Sequence, residues 1–115
     1  MSEHASQDAI ARHLARNEKL LEVLDRHRAD REQLRTIDFF FYGSDRARTL
    51  ELAQALRAAG FARVDVGDEP RDGRWPVQAV LIDSIAAVVK ESFVTGLVEL
   101  ARKHGAEFDG WGTSL

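Results

Sequence analysis

Thr36-Ile37-Asp38-Phe39-Phe40-Phe41-Tyr42-Gly43 is the stretch on which the reading of this chain turns. Its aromatic and β-branched residues alternate with a period of two, so residues 36–42 read as a strand with Ile37, Phe39 and Phe41 on one face and Asp38, Phe40 and Tyr42 on the other. Gly43 closes it. Because rings stand on both faces, one layer of helices cannot bury all of them.

Toward the C-terminus, Ser44 is suited to N-cap a helix over 45–59 that turns Leu50, Leu52, Ala53, Leu56 and Ala59 to one side. Gly60 supplies the left-handed residue of a Schellman stop, and Phe61 is placed to pack back on Leu56. Residues 62–66 alternate as a half-buried strand with Arg63 and Asp65 outward. Residues 67–73 hold Gly67, Pro70 and Gly73 among charges and read as a turn or short loop. A third strand spans 75–82, with Pro76 confined to its start. A helix over 88–104 places Val89, Phe93, Gly96, Leu97, Leu100 and Ala101 on one stripe and gathers Arg102, Lys103 and His104 in its last turn, where cations favour the negative helix end. Gly105 ends it, and 106–111 alternates as a last strand. Toward the N-terminus, Ile10, Leu14, Leu20, Leu21 and Leu24 recur at helical spacing over 6–28, a narrow stripe interrupted by Asn17.

The order from residue 34 onward is strand-helix-strand-strand-helix-strand. That is the split βαβ order of an α+β, ferredoxin-like domain: an antiparallel four-stranded sheet with two helices on one face. The chain accordingly divides into an N-terminal helical extension, 1–33, and the ferredoxin-like domain, 34–115. In this topology strict alternation sets Phe40, Tyr42, Val80, Ile82 and Trp111 together on the face opposite the two helices. So large an apolar face needs a cover. Either helix 6–28 folds over it, or part stays open as a docking surface with Tyr42 and Trp111 as aromatic anchors.

At 115 residues with 44% apolar and 30% charged side chains, the chain is one domain's worth of ordinary globular composition. It has no cysteine, which excludes disulfides, thiolate nucleophiles and Cys-based metal sites. Its longest uninterrupted apolar run is Ile85-Ala86-Ala87-Val88-Val89, and its polar start lacks a leader pattern, so a cytoplasmic protein with no membrane span is expected. The formal net charge is −3; a mildly acidic surface fits a basic protein partner better than RNA. Aromatic residues on a first strand also suggest base stacking, but residues 74–82 lack the basic, glycine and aromatic pattern of an RNA-binding central strand, so direct nucleic-acid binding is not expected.

No constellation for chemistry emerges. His13 and His27 lie about 21 Å apart along one helix axis, with His4 in the N-terminal tail and His104 at another helix end, so all read as surface histidines. Ser44-Asp45 is explained by capping. The glycines make no phosphate-cradling run, and Gly110 and Gly112 instead leave room around Trp111. No cofactor and no metal are expected. The rival to a protein-binding role is a small-molecule or enzymatic site on the open sheet face.

The run Glu107-Phe108-Asp109-Gly110-Trp111-Gly112-Thr113, preceded by Ala101-Arg102-Lys103-His104-Gly105, resembles the characteristic ending of the ribonuclease E inhibitor B family. Thr36-Ile37-Asp38 and Leu56-Arg57-Ala58-Ala59-Gly60-Phe61 are similar to that family's first strand and to its first core helix running into the second strand. The resemblance covers nearly the whole chain and implies a ferredoxin-like domain that restrains ribonuclease E by contact, without chemistry of its own. In the founding type a long acidic tail follows; this sequence has Thr113-Ser114-Leu115 there. With ribonuclease E or another RNA-decay component as the implied partner, Phe40, Tyr42, Glu107, Asp109 and Trp111 are the expected contact residues.

Overall fold

The computed structural model describes residues 2–114, with side chains described from residue 5 onward. The sequence reading of His4 as a tail histidine lies outside those side chains. In chain order the elements are α1 (Ser2–Arg26), β1 (Leu34–Gly43), α2 (Arg46–Ala58), β2 (Arg63–Val66), β3 (Trp75–Ser84), α3 (Ile85–Val88), α4 (Glu91–Lys103) and β4 (Ala106–Thr113). The four strands form one antiparallel sheet in the order β2-β3-β1-β4, the expected ferredoxin-like arrangement with a further N-terminal helix.

The central strand β1 drives the packing. Its inward residues Ile37, Phe39 and Phe41 are fully buried and meet Leu52 and Leu56 of α2, Val94 and Leu97 of α4, and Phe108 of β4 in one core. The Phe39 ring meets Phe61 edge-on at 5.4 Å, and each such side chain contributes about 1.5–3 kcal/mol of burial. Phe61 is delivered there by the expected Schellman stop. Gly60 has φ of 104°, its N–H donates to the Arg57 carbonyl, and the Phe61 N–H reaches back to Leu56 at 3.2 Å.

Local differences from the sequence reading have local causes. The N-cap of α2 is Asp45, whose carboxylate accepts from the Ala47 N–H, while the Ser44 hydroxyl donates to the Gly105 carbonyl and ties the end of β1 to the start of β4. Leu50 is exposed, and Thr49 takes the inward place, its hydroxyl donating to the Asp45 carbonyl at 2.6 Å. The helix expected over 88–104 is present as α4 but begins three residues later, and a separate short helix precedes it. Ser84 caps the short α3 through the Ala87 N–H and buries Ile85 and Val88; the chain then breaks at Val89 and Lys90 before α4 begins. α4 consequently turns Val94, Leu97, Val98 and Ala101 inward, with Phe93 and Leu100 on the flank of the core.

Two glycines test this packing in opposite directions. A Cβ at Gly43 would overlap the buried Thr49 hydroxyl, whereas one at Gly96 in mid-α4 meets nothing within 4 Å. In urea denaturation, Gly43→Ala is expected to cost about 1–3 kcal/mol by overpacking. Gly96→Ala is expected to gain up to about 1 kcal/mol from helix propensity.

Candidate functional site: a bare sheet face and an α1 seam

The face of the sheet away from α2 and α4 carries no helix among the described residues. Register places Thr36, Asp38, Phe40 and Tyr42 of β1 beside Ile82, Val80, Gln78 and Pro76 of β3, with Arg63 and Asp65 of β2 beyond. Phe40 is 39% exposed and Ile82 60%. Of the two alternatives for this face, cover by α1 is corrected by the structure: α1 packs on the helix side, beside α4, with Ala9, Ile10 and Leu14 against the core.

Trp111 does not share the bare face either. β4 follows β1 in register from Ala106 to Phe108, which pairs with Phe41; the next pair is Phe40 with Gly110, so Asp109 is an extra residue in a bulge. Gly110 sits there with φ of 145°, a backbone that side chains rarely adopt. A one-residue insertion reverses the facing of everything after it. Trp111 therefore pairs with the buried Phe39 and turns toward the helices, half-buried against the core. Of the five residues expected to act together, Phe40, Tyr42 and Glu107 lie on the bare side, Tyr42 directly opposite Glu107, whereas Asp109 and Trp111 lie at the junction with α1.

That junction is a polar seam which the sequence reading missed. His13 donates from Nε2 to the Phe108 carbonyl at 2.9 Å, Arg16 donates to the Asp109 carbonyl at 2.9 Å, and the Trp111 indole N–H donates to Asn17 Oδ1 at 2.8 Å. The spacing of 13, 16 and 17 puts the three side chains on one helix face, and the asparagine interrupting the apolar stripe was the available signal. Rather than lying at the surface, His13 is buried and stacks on Phe108 with ring centroids 4.5 Å apart. Burial pushes its imidazole below the usual histidine value. The Arg16 and Arg12 guanidiniums add to that lowering, while the Phe108 carbonyl and Asp109 oppose it. Asn17 is buried as well, and its Nδ2 has no partner among the described residues.

On the bare side, the loop after β2 closes with a tight turn. Arg71 and Arg74 pair around Asp72 and Gly73, both with positive φ, as a type I′ turn requires. The turn carries Arg74 over the Tyr42 ring at 4.7 Å and within 3.9 Å of Glu107. Beside them Phe40, Tyr42, Asp65, Arg71, Pro76 and Gln78 line a cavity of about 280 Å³. Among the described residues no group of three or more His, Asp or Glu could hold a metal, and no described helix is long and apolar enough to cross a membrane.

Fold and surface together define an α+β domain of ferredoxin-like topology that keeps one aromatic sheet face free and holds an added helix on the other side. Residues 14–113 match the family described as regulator of ribonuclease activity B, and the chain belongs to that family. No individual curated protein matches it.

The seam makes Trp111 a residue of stability. Trp111→Phe removes the donor to a buried asparagine and is expected to cost about 1–3 kcal/mol. Combining it with Asn17→Leu removes both polar groups, so the double variant is expected to be more stable than Trp111→Phe alone when unfolding free energies are compared in a double-mutant cycle.

Proposed function

We propose that this protein regulates a ribonuclease by direct contact, without chemistry of its own, and that the contact is made by the bare sheet face around Phe40, Tyr42 and Glu107. Family membership supplies the class of target. Ribonuclease E, or a component working with it in cytoplasmic RNA decay, is the target that the resemblance of the C-terminal run implies. Asp109 and Trp111 serve that surface at one remove: they fix the bulge in β4 and the helix behind it.

The observation that carries the reading is the uncovered apolar surface. Leu34, Phe40 and Ile82 remain 68%, 39% and 60% exposed, and they are three of the five large apolar side chains left exposed among the described residues. Apolar side chains left exposed together on one face among polar residues mark interaction sites. Here Asp38 bonded to Gln78 crosses the face between Phe40 and Ile82, and its flanks carry Arg63 paired with Asp65 and Arg74 near Glu107. Tyr42 under Arg74 is an amphipathic anchor of the kind enriched in interface hot spots. The cavity beside Phe40 is at the small end of ligand pockets, which run from roughly 300 Å³ upward, and suits a side chain inserted by a partner.

The test is cleavage of a defined RNA by ribonuclease E in the presence of increasing amounts of this protein. Wild type is expected to slow cleavage. Phe40→Ala combined with Tyr42→Ala is expected to raise the concentration needed by about tenfold or more, equivalent to about 1.4 kcal/mol of binding or more, with little change in melting temperature. Cleavage at the same rate with and without wild-type protein would reject ribonuclease E as the target, and undiminished potency of the double variant would reject the face.

A further inference from the structure

The seam between α1 and β4 differs in kind from the rest of the interior. No described residue of α1 belongs to the buried core cluster around Phe39; Ala9, Ile10 and Leu14 lean against it, and Leu24 is buried apart from it. What fixes the register of the helix is polar: His13 on the Phe108 carbonyl, Arg16 on the Asp109 carbonyl, and Asn17 on the Trp111 indole. One buried amide donor, Asn17 Nδ2, is left without a partner among the described residues, a local cost that water would remove on opening. The core of the sheet, by contrast, is built from the strands, α2 and α4, with α1 adding only the flanking contacts of Ala9, Ile10 and Leu14.

At the middle of this seam His13 sits among charged neighbours. From its own helix Arg12 and Arg16 face it, and both line the cavity of about 300 Å³ beside it. From β4 come Glu107 and Asp109, exposed at the rim, and from α4 comes Arg102 across an adjoining cavity that shares Arg12 in its wall. The imidazole lies flat on Phe108 and makes its hydrogen bond as a neutral ring can. A proton added there would put a third cation beside two guanidiniums, on a ring that is itself largely buried.

We propose that α1 is a releasable clasp: uptake of a proton by His13 frees the helix from β4 while the sheet, α2 and α4 stay folded. The direction follows from linkage. Burial holds the docked imidazole below its ordinary value of 6.5. Above that pH both docked and released forms are neutral at this position and the clasp is at full strength. Below it the released form binds the proton first, so the released fraction rises by at most tenfold per pH unit until the docked value is passed. Release uncovers Trp111, Phe108 and two carbonyls of an edge strand.

Trp111 reports the opening directly. In a Trp75→Phe background it is the sole indole of the chain. Its quenching by acrylamide is expected to increase between pH 7.5 and 5 while the amide NMR signals of Phe39 and Phe41 keep their positions. His13→Gln, which retains a donor and cannot charge, is expected to hold quenching flat over that range. Quenching that does not change with pH in the parent protein, that rises equally in His13→Gln, or that rises only as the Phe39 and Phe41 signals vanish would overturn the clasp. The His13 proton signals in the unaltered chain give an independent check: their titration midpoint must coincide with that of Trp111 exposure, and separate midpoints overturn the proposal.

Discussion

The alternation of β1 is the constraint from which the remaining structure follows. A strand paired on both edges has no backbone freedom left, so its side chains must divide strictly between two faces. Ile37, Phe39 and Phe41 then demand a helical layer, and the amphipathic α2 and α4 provide it. The same division commits Phe40 and Tyr42 to the opposite side, where no helix follows. The bare face is thus a consequence of placing rings at consecutive positions in a central strand, and any function of that face inherits its geometry from the core behind it.

How much of this was legible in the sequence depended on whether the deciding interaction was local. Strand and helix periods, the Gly60 stop and the order of elements are set by residues within a few positions of one another, and they lead to the observed topology. The facing of Trp111 was not legible by alternation, because one extra residue at Asp109 reverses it. Gly110 was the visible hint, since a glycine within a strand often marks a bulge. The side on which α1 docks was also hidden. It is decided by contacts spanning about ninety residues, from His13 to Phe108 and from Asn17 to Trp111, and a narrow stripe read alone fits either face of the sheet. His13 looked superficial for the same reason.

The Asp-Gly-Trp-Gly run acquires a physical meaning from the bulge. Asp109 is the inserted residue, and its carbonyl accepts from Arg16. Gly110 takes the backbone conformation the insertion requires, and a Cβ there would come within 2.8 Å of the Arg16 guanidinium. Trp111 is thereby swung inward to Asn17, while Gly112, opposite Asp38, leaves the bare side open. The four consecutive residues act as a unit, turning an edge strand so that its aromatic residue faces a helix and its outer carbonyls are capped by that helix. An edge strand left uncapped is a template for unwanted pairing, and α1 removes that hazard along β4.

The two sides of the sheet are therefore managed differently. On the helix side the polar groups of the seam are matched one carbonyl or amide at a time, Asn17 Nδ2 excepted, which fixes geometry and yields little net stability per bond. On the bare side the apolar residues are left in water, but the charges around them are largely paired within the protein: Arg63 with Asp65, and Arg74 with Glu107 across Tyr42. Pairing of that kind lowers the desolvation cost when a partner covers the rim, because each charge already has one of opposite sign beside it. It also discourages polyanions, since no uncompensated row of cations runs along the strands. A face of this composition is suited to a protein surface that brings its own apolar centre.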